Sequence, residues 1–86
     1  MFTVYVLYSD KHHKIYIGYT SDLPSRLLSH NEISKNTFTS KFRPWRLLYT
    51  EEFELKNDAM KREKQLKTGA GRKFVWDMIN EQNKNS

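Results

Sequence analysis

At 86 residues, 37% hydrophobic and 29% charged, the chain is sized for one domain with a small core. The absence of cysteine excludes a disulfide scaffold, a thiolate zinc site and a cysteine nucleophile. Lys and Arg number 15 against 10 Asp and Glu, a net charge of +5 with a pI near 9.6, which points to a polyanionic partner such as nucleic acid.

Phe2 to Tyr8 is β-branched and aromatic and predicts a strand. The opening MFTVYVLYSDKHH has no basic n-region and no small-residue cleavage site, and no run approaches the ~18 apolar residues of a membrane span. The expected location is therefore the cytoplasm, with no membrane partner. The polar SDKHHK turn leads to a second strand over Ile15 to Thr20, so the two form a hairpin. Asp22 is an N-cap candidate and Pro24 suits a first turn, which predicts a helix from Leu23 to Asn31. Ser34 to Pro44 reads as a loop and Trp45 to Phe53 as a third strand. A helix follows over Leu55 to Lys67, ended by TGAG, where Gly69 can take a left-handed cap. Arg72 to Asn80 predicts a last helix, with Phe74, Val75, Met78 and Ile79 on one side. The pattern is β-β-α-β-α-α, an α/β (α+β) domain with helices flanking a three-stranded sheet. Residues 1–80 read as that domain and residues 81–86 as a polar, frayed tail.

Charge is unevenly spread. Ile33 to Thr50 holds Lys35, Lys41, Arg43 and Arg46 and no acid, interleaved with Phe38, Phe42, Trp45 and hydroxyl residues. Lys56 to Lys73 is also strongly basic and includes Lys64, Lys67, Arg72 and Lys73. Cations, hydroxyls and aromatics in alternation suit a surface that grips phosphate, so these eight cations are candidate nucleic-acid contacts. A solvated loop over a few buried rings is the plainer reading of the first stretch.

Three sets of polar residues fall where apolar ones are expected. Glu63 lies on the Leu55, Ala59, Leu66 stripe of its helix, where a carboxylate is costly unless it is paired or binds a metal. Pairing with Lys67 at i+4 would also satisfy it. Arg26 and His30 are i, i+4 neighbours bordering the Leu23, Leu27 face and make a phosphate-facing pair, although a histidine there is often an ordinary hydrogen-bonded residue. Tyr5 and Tyr16 share a sheet face if the hairpin register is odd, with Gly18 beside Tyr16 leaving room for a ring or a ligand. High β-propensity alone also accounts for strand tyrosines.

In order, Thr3-Val4-Tyr5, Tyr16-Ile17-Gly18, Arg26, His30 and Glu63 resemble the GIY-YIG nuclease domain family. YIGYTSDLPSRLLSH matches that family's second motif and following helix. AMKREKQLKTGAGRK is similar to its small stand-alone bacterial branch. The resemblance runs from about Phe2 to Ile79. It implies a three-stranded antiparallel sheet and cleavage of DNA phosphodiester bonds with one divalent ion, Mg²⁺ or Mn²⁺. It also implies roles. Tyr5 would be the general base or orient the water, with Tyr16 beside it. Arg26 would stabilise charge on the phosphate, and His30 would assist proton transfer. Glu63 would bind the metal. Gly18 and Asn80 would support the site. The first triplet here is Thr-Val-Tyr, and Tyr19 stands where many members have lysine. With no space for a separate DNA-reading domain, activity is expected to be weakly specific, directed at branched, damaged or single-stranded DNA or guided by a protein partner. A binding module that keeps the fold without cutting, and a basic surface that docks an acidic protein, are the other readings.

Overall fold

The chain, seen in a computed structural model, is described over residues 1–33 and 37–84. Lys35 lies outside the described residues. Strands β1 (Phe2–Ser9), β2 (Lys14–Thr20) and β3 (Arg46–Phe53) form one antiparallel sheet in the order β2-β1-β3. The central strand is buried from Val4 through Ser9. Such a strand loses the usual apolar/polar alternation because both of its faces are covered. On one face α3 (Lys56–Leu66) and α4 (Gly69–Lys84) supply Ala59, Leu66, Val75 and Ile79 against Val4, Val6, Tyr8 and Ile17. On the other face α1 (Leu23–Leu28) lays Leu23 and Leu27 on Tyr5, Leu7 and Trp45.

Asp22 caps α1 by accepting from Ser25 N at 3.2 Å, with Pro24 in the first turn. The helix predicted to reach Asn31 stops earlier, at Leu28, and continues as a π-helical turn over Ser29–Ile33. The segment predicted as a loop contains a short helix, α2 (Thr37–Lys41), so the order is β-β-α-α-β-α-α. Trp45 explains that helix: its indole donates to Thr39 O at 2.8 Å and its ring is buried beneath α2.

Leu55 does not join the buried stripe of α3. It is 63% exposed and occupies the N-cap, while Ala59 and Leu66 are fully buried. Gly69 is not a left-handed cap either; among the described residues no glycine has positive φ. It opens α4 instead. Thr68 makes the junction by donating to Gln65 O at 2.6 Å and accepting from Gly71 N at 3.2 Å. A side chain at Gly71 would overlap the Gln65 and Leu66 backbone, so glycine lets the two helices meet closely. The tail read as frayed from residue 81 is helical through Lys84. Phe74 sits half-exposed against Tyr49 and the Arg62 guanidinium rather than in the core. No helix of the described residues is long and apolar enough to cross a membrane.

Candidate active site

The hairpin pairs Tyr5 with Gly18 and Leu7 with Tyr16, so the register is odd and both tyrosines face α1. Their rings stack with centroids 6.2 Å apart. Gly18 is what allows this. A Cβ there would lie 2.7 Å from Tyr5 Oη and 3.2 Å from Tyr16 Cε1. Tyr5 is only 1% exposed and is packed with Leu7 and Trp45. A Gly18→Ala protein is expected to lose about 1–3 kcal/mol in a denaturant titration, as overpacked sites do, and to shift the Tyr5 phenol.

His30 comes from the π-helical turn. Such a turn carries an extra residue, which re-aims the side chains that follow it. His30 is buried, its ring 4.7 Å from that of Tyr16, and its Nε2 lies 2.9 Å from Tyr5 Oη. Two residues hold the turn in place. Arg43 donates to His30 O at 2.6 Å and to Ser29 O at 3.3 Å, meeting carbonyls the distorted helix leaves over. Asn31 accepts from Trp45 N at 2.7 Å and donates to Trp45 O at 3.0 Å. Neither role was legible in the sequence, because an irregular turn has no composition signal.

The groups on the two sheet faces meet around the free edge of β2. A concavity of about 400 Å³ there is lined by Tyr5, Tyr16, Arg26 and Glu63, with Gly18, Tyr19 and Lys56 among its other walls. Four of the five residues expected to do chemistry thus share one pocket, and the fifth, His30, stands behind Tyr5. Lys56, not among the residues singled out from the sequence, lines the pocket at the first position of α3.

Burial, and to a lesser degree the neighbouring Tyr16, pushes the Tyr5 phenol up to about 12; Arg26 pulls the other way without prevailing. The positive field of Arg26 is therefore outweighed by burial in the protein alone. Burial also lowers the His30 pKa below 6.5, helped by the Arg26 and Arg43 charges. At neutral pH the pair is thus a neutral phenol hydrogen-bonded to a neutral imidazole, whose Nε2 accepts from the phenol in the Nδ1–H tautomer. The unfolded chain binds the His30 proton near 6.5 and the folded chain only at lower pH. Over that window the unfolded state holds more protons, so stability is expected to fall as pH drops through about 6.5, visible in thermal melts and blunted in His30→Gln.

Of the two roles the sequence left open for Glu63, the structure shows the ion pair. Its half-sequestered side chain lines the pocket and also pairs with Lys67 Nζ at 3.6 Å. Among the described residues no group of three or more His, Asp or Glu side chains is placed to share a metal ion. One carboxylate does not fit zinc. It does fit a hydrated Mg²⁺ or Mn²⁺ that keeps waters and takes further oxygens from a phosphate.

Two expectations fail on position. Asn80 is exposed on α4 and borders a different hollow with Asp77, Glu81 and Asn83, so it does not support the site. Arg43 is spent on backbone carbonyls rather than offered as a surface cation. Arg46 pairs with Asp10 at 2.7 Å and lies over the Tyr8 ring, and Lys73 pairs with Asp77 at 3.0 Å. Lys41 and Lys64 are exposed, away from the pocket walls.

A three-stranded antiparallel sheet thus presents a tyrosine pair, an arginine and a glutamate at one edge, with a histidine behind them. Residues 1–74 match the family model described as the GIY-YIG catalytic domain, and the chain belongs to this family of endonucleases. It is similar to the UPF0213 protein of Staphylococcus saprophyticus, 39% identical over 54 residues, which is 63% of this chain and 66% of that one. The UPF0213 protein of Staphylococcus haemolyticus is 38% identical over 58 residues, 67% of this chain and 71% of that one. The chain thus spans about two thirds of the length of these relatives. The solution structure of the UPF0213 protein BH0048 from Bacillus halodurans superposes with a TM-score of 0.53 at 28% identity, covering 91% of this chain and 85% of that one.

Proposed function

We propose that this chain is an endonuclease that hydrolyses DNA phosphodiester bonds in the β2-edge pocket with the help of one divalent ion. The observation that carries the reading is the Tyr5 Oη to His30 Nε2 hydrogen bond of 2.9 Å, opening onto a pocket shared with Arg26 and Glu63. A phenol this hard to ionise is a poor base alone. Backed by a neutral imidazole it can take a proton from water while giving its own to His30. The water oxygen then bonds to phosphorus, the bond to the leaving oxygen breaks, and that oxygen is protonated from solvent. Arg26 donates to the non-bridging oxygens as their charge grows. Tyr16, stacked on Tyr5, keeps the phenol aimed at the pocket. Glu63 would hold hydrated Mg²⁺ or Mn²⁺, which supplies Lewis-acid stabilisation of the phosphate and the leaving oxygen when bound.

Every group named reads phosphate rather than base edges, which favours low sequence specificity. That suits a role in DNA repair or processing, on branched, damaged or single-stranded DNA, in the cytoplasm, with a protein partner supplying any selectivity. The pairing of Glu63 with Lys67 favours a second reading, a binding module of the same fold that does not cut. Oligonucleotides in single-stranded, duplex and branched form, incubated with Mg²⁺, Mn²⁺ or EDTA, separate the two. Metal-dependent cleavage that Glu63→Ala abolishes supports the nuclease. Salt-sensitive binding without cleavage under any metal supports the binding module.

A further inference from the structure

We propose that the free edge of β2 carries a second phosphate subsite, built from Arg72 and Lys67, which grips the sugar-phosphate backbone one nucleotide away from the bond being cut. This rests on the reading of the neighbouring pocket as a nuclease site, and it adds a requirement: the substrate is a polynucleotide strand with more than one phosphate.

The subsite is a hollow of about 180 Å³ lined by Ile15, Tyr16, Ile17, Lys67 and Arg72. It lies where the α3–α4 junction meets β2, which among the described residues pairs with no strand on its outer side. Two observations join it to the first pocket. Tyr16 walls both hollows. The Glu63–Lys67 pair also crosses between them, with Glu63 lining the first and Lys67 the second. The two hollows are thus neighbours with a shared wall, as two successive phosphates of one strand would require.

Arg72 has the form such a site needs. Its Nε donates to Lys67 O at 3.2 Å, which fixes the plane of the guanidinium. Among the described residues its terminal nitrogens have no hydrogen-bond or ion-pair partner, and the side chain is exposed. A guanidinium anchored at Nε with both terminal nitrogens free is a preset fork for phosphate oxygens. Lys67 adds a second positive charge on the same hollow. The partly exposed Ile15 adds apolar side-chain surface, which suits the sugar.

Binding measured in EDTA keeps this proposal apart from catalysis. The probes are a thymidine dinucleotide, with a single phosphodiester, and a thymidine octanucleotide. Arg72→Gln removes the charge yet keeps a donor for Lys67 O. The wild type is expected to prefer the octanucleotide, and Arg72→Gln to shrink that preference about tenfold, the scale of one charged hydrogen bond. The log–log salt slope for the octanucleotide should become shallower by about 0.7, one phosphate on a single strand. Arg72→Lys should restore part of both. An undiminished preference, or an equal loss on both ligands, overturns the subsite. Should Arg72→Gln fail to fold, wild-type amide shifts decide: Ile15, Ile17 and Arg72 must move with the octanucleotide and not with the dinucleotide. Absence of cleavage alongside this pattern would remove the nuclease reading and leave the subsite standing; cleavage without the pattern would do the reverse.

Discussion

Tyr5→Phe is expected to leave a folded protein that cuts DNA about 10²–10⁴-fold more slowly, the usual contribution of a positioned acid–base group. The substitution removes one oxygen and keeps the ring, so the stack on Tyr16 and the packing on Leu7 and Trp45 survive. What disappears is the proton path from the pocket to His30. His30 Nε2 then loses its partner in a buried place, which costs about 1–3 kcal/mol of stability. A single-turnover cleavage assay, read beside a thermal melt, checks both numbers. DNA binding in EDTA should hold, because the phenol is not one of the cations.

Arg26→Ala should cost about 10²–10³ in cleavage, the scale of losing one donor to a developing oxyanion. Arg26→Lys should recover only part, since an ammonium cannot present two parallel donors. The same arginine lowers both the Tyr5 phenol and the His30 imidazole. Its removal therefore lets the His30 pKa rise toward 6.5. The cycle needs neutral His30, so the acid limb of the pH–rate profile moves to higher pH in Arg26→Ala. A cycle that did not need neutral His30 would lose rate in Arg26→Ala without displacing that limb. Stopped time courses across pH 5 to 8 distinguish the two.

The sheet was readable from the sequence because β-branched and aromatic runs bounded by turn residues have few alternatives. The Asp22 and Pro24 start of α1 was readable for a similar reason, as a cap with its own chemistry. Glu63 could be singled out because a carboxylate on a buried stripe demands an explanation, and the structure supplies both a pocket and Lys67. Other features escaped local reasoning. The π-helical turn that aims His30 is held by Arg43 and Asn31 from beyond the segment, and α2 answers to Trp45. Basic residues look alike in sequence, yet Arg43 is bound to backbone carbonyls while Arg72 keeps its terminal nitrogens open among the described residues. Which cation meets phosphate is decided by tertiary partners. Lys56 shows the converse, since only the wrap of α3 around the β2 edge brings it to the pocket.

The decisive measurement is nicking of supercoiled plasmid in Mg²⁺ or Mn²⁺ by wild type and Tyr5→Phe protein purified side by side. Metal-dependent conversion to the open circle by the wild type, with at least a hundredfold slower conversion by Tyr5→Phe, is the result this site predicts. Equal nicking by both proteins, or none by a folded wild type under either metal, would contradict it.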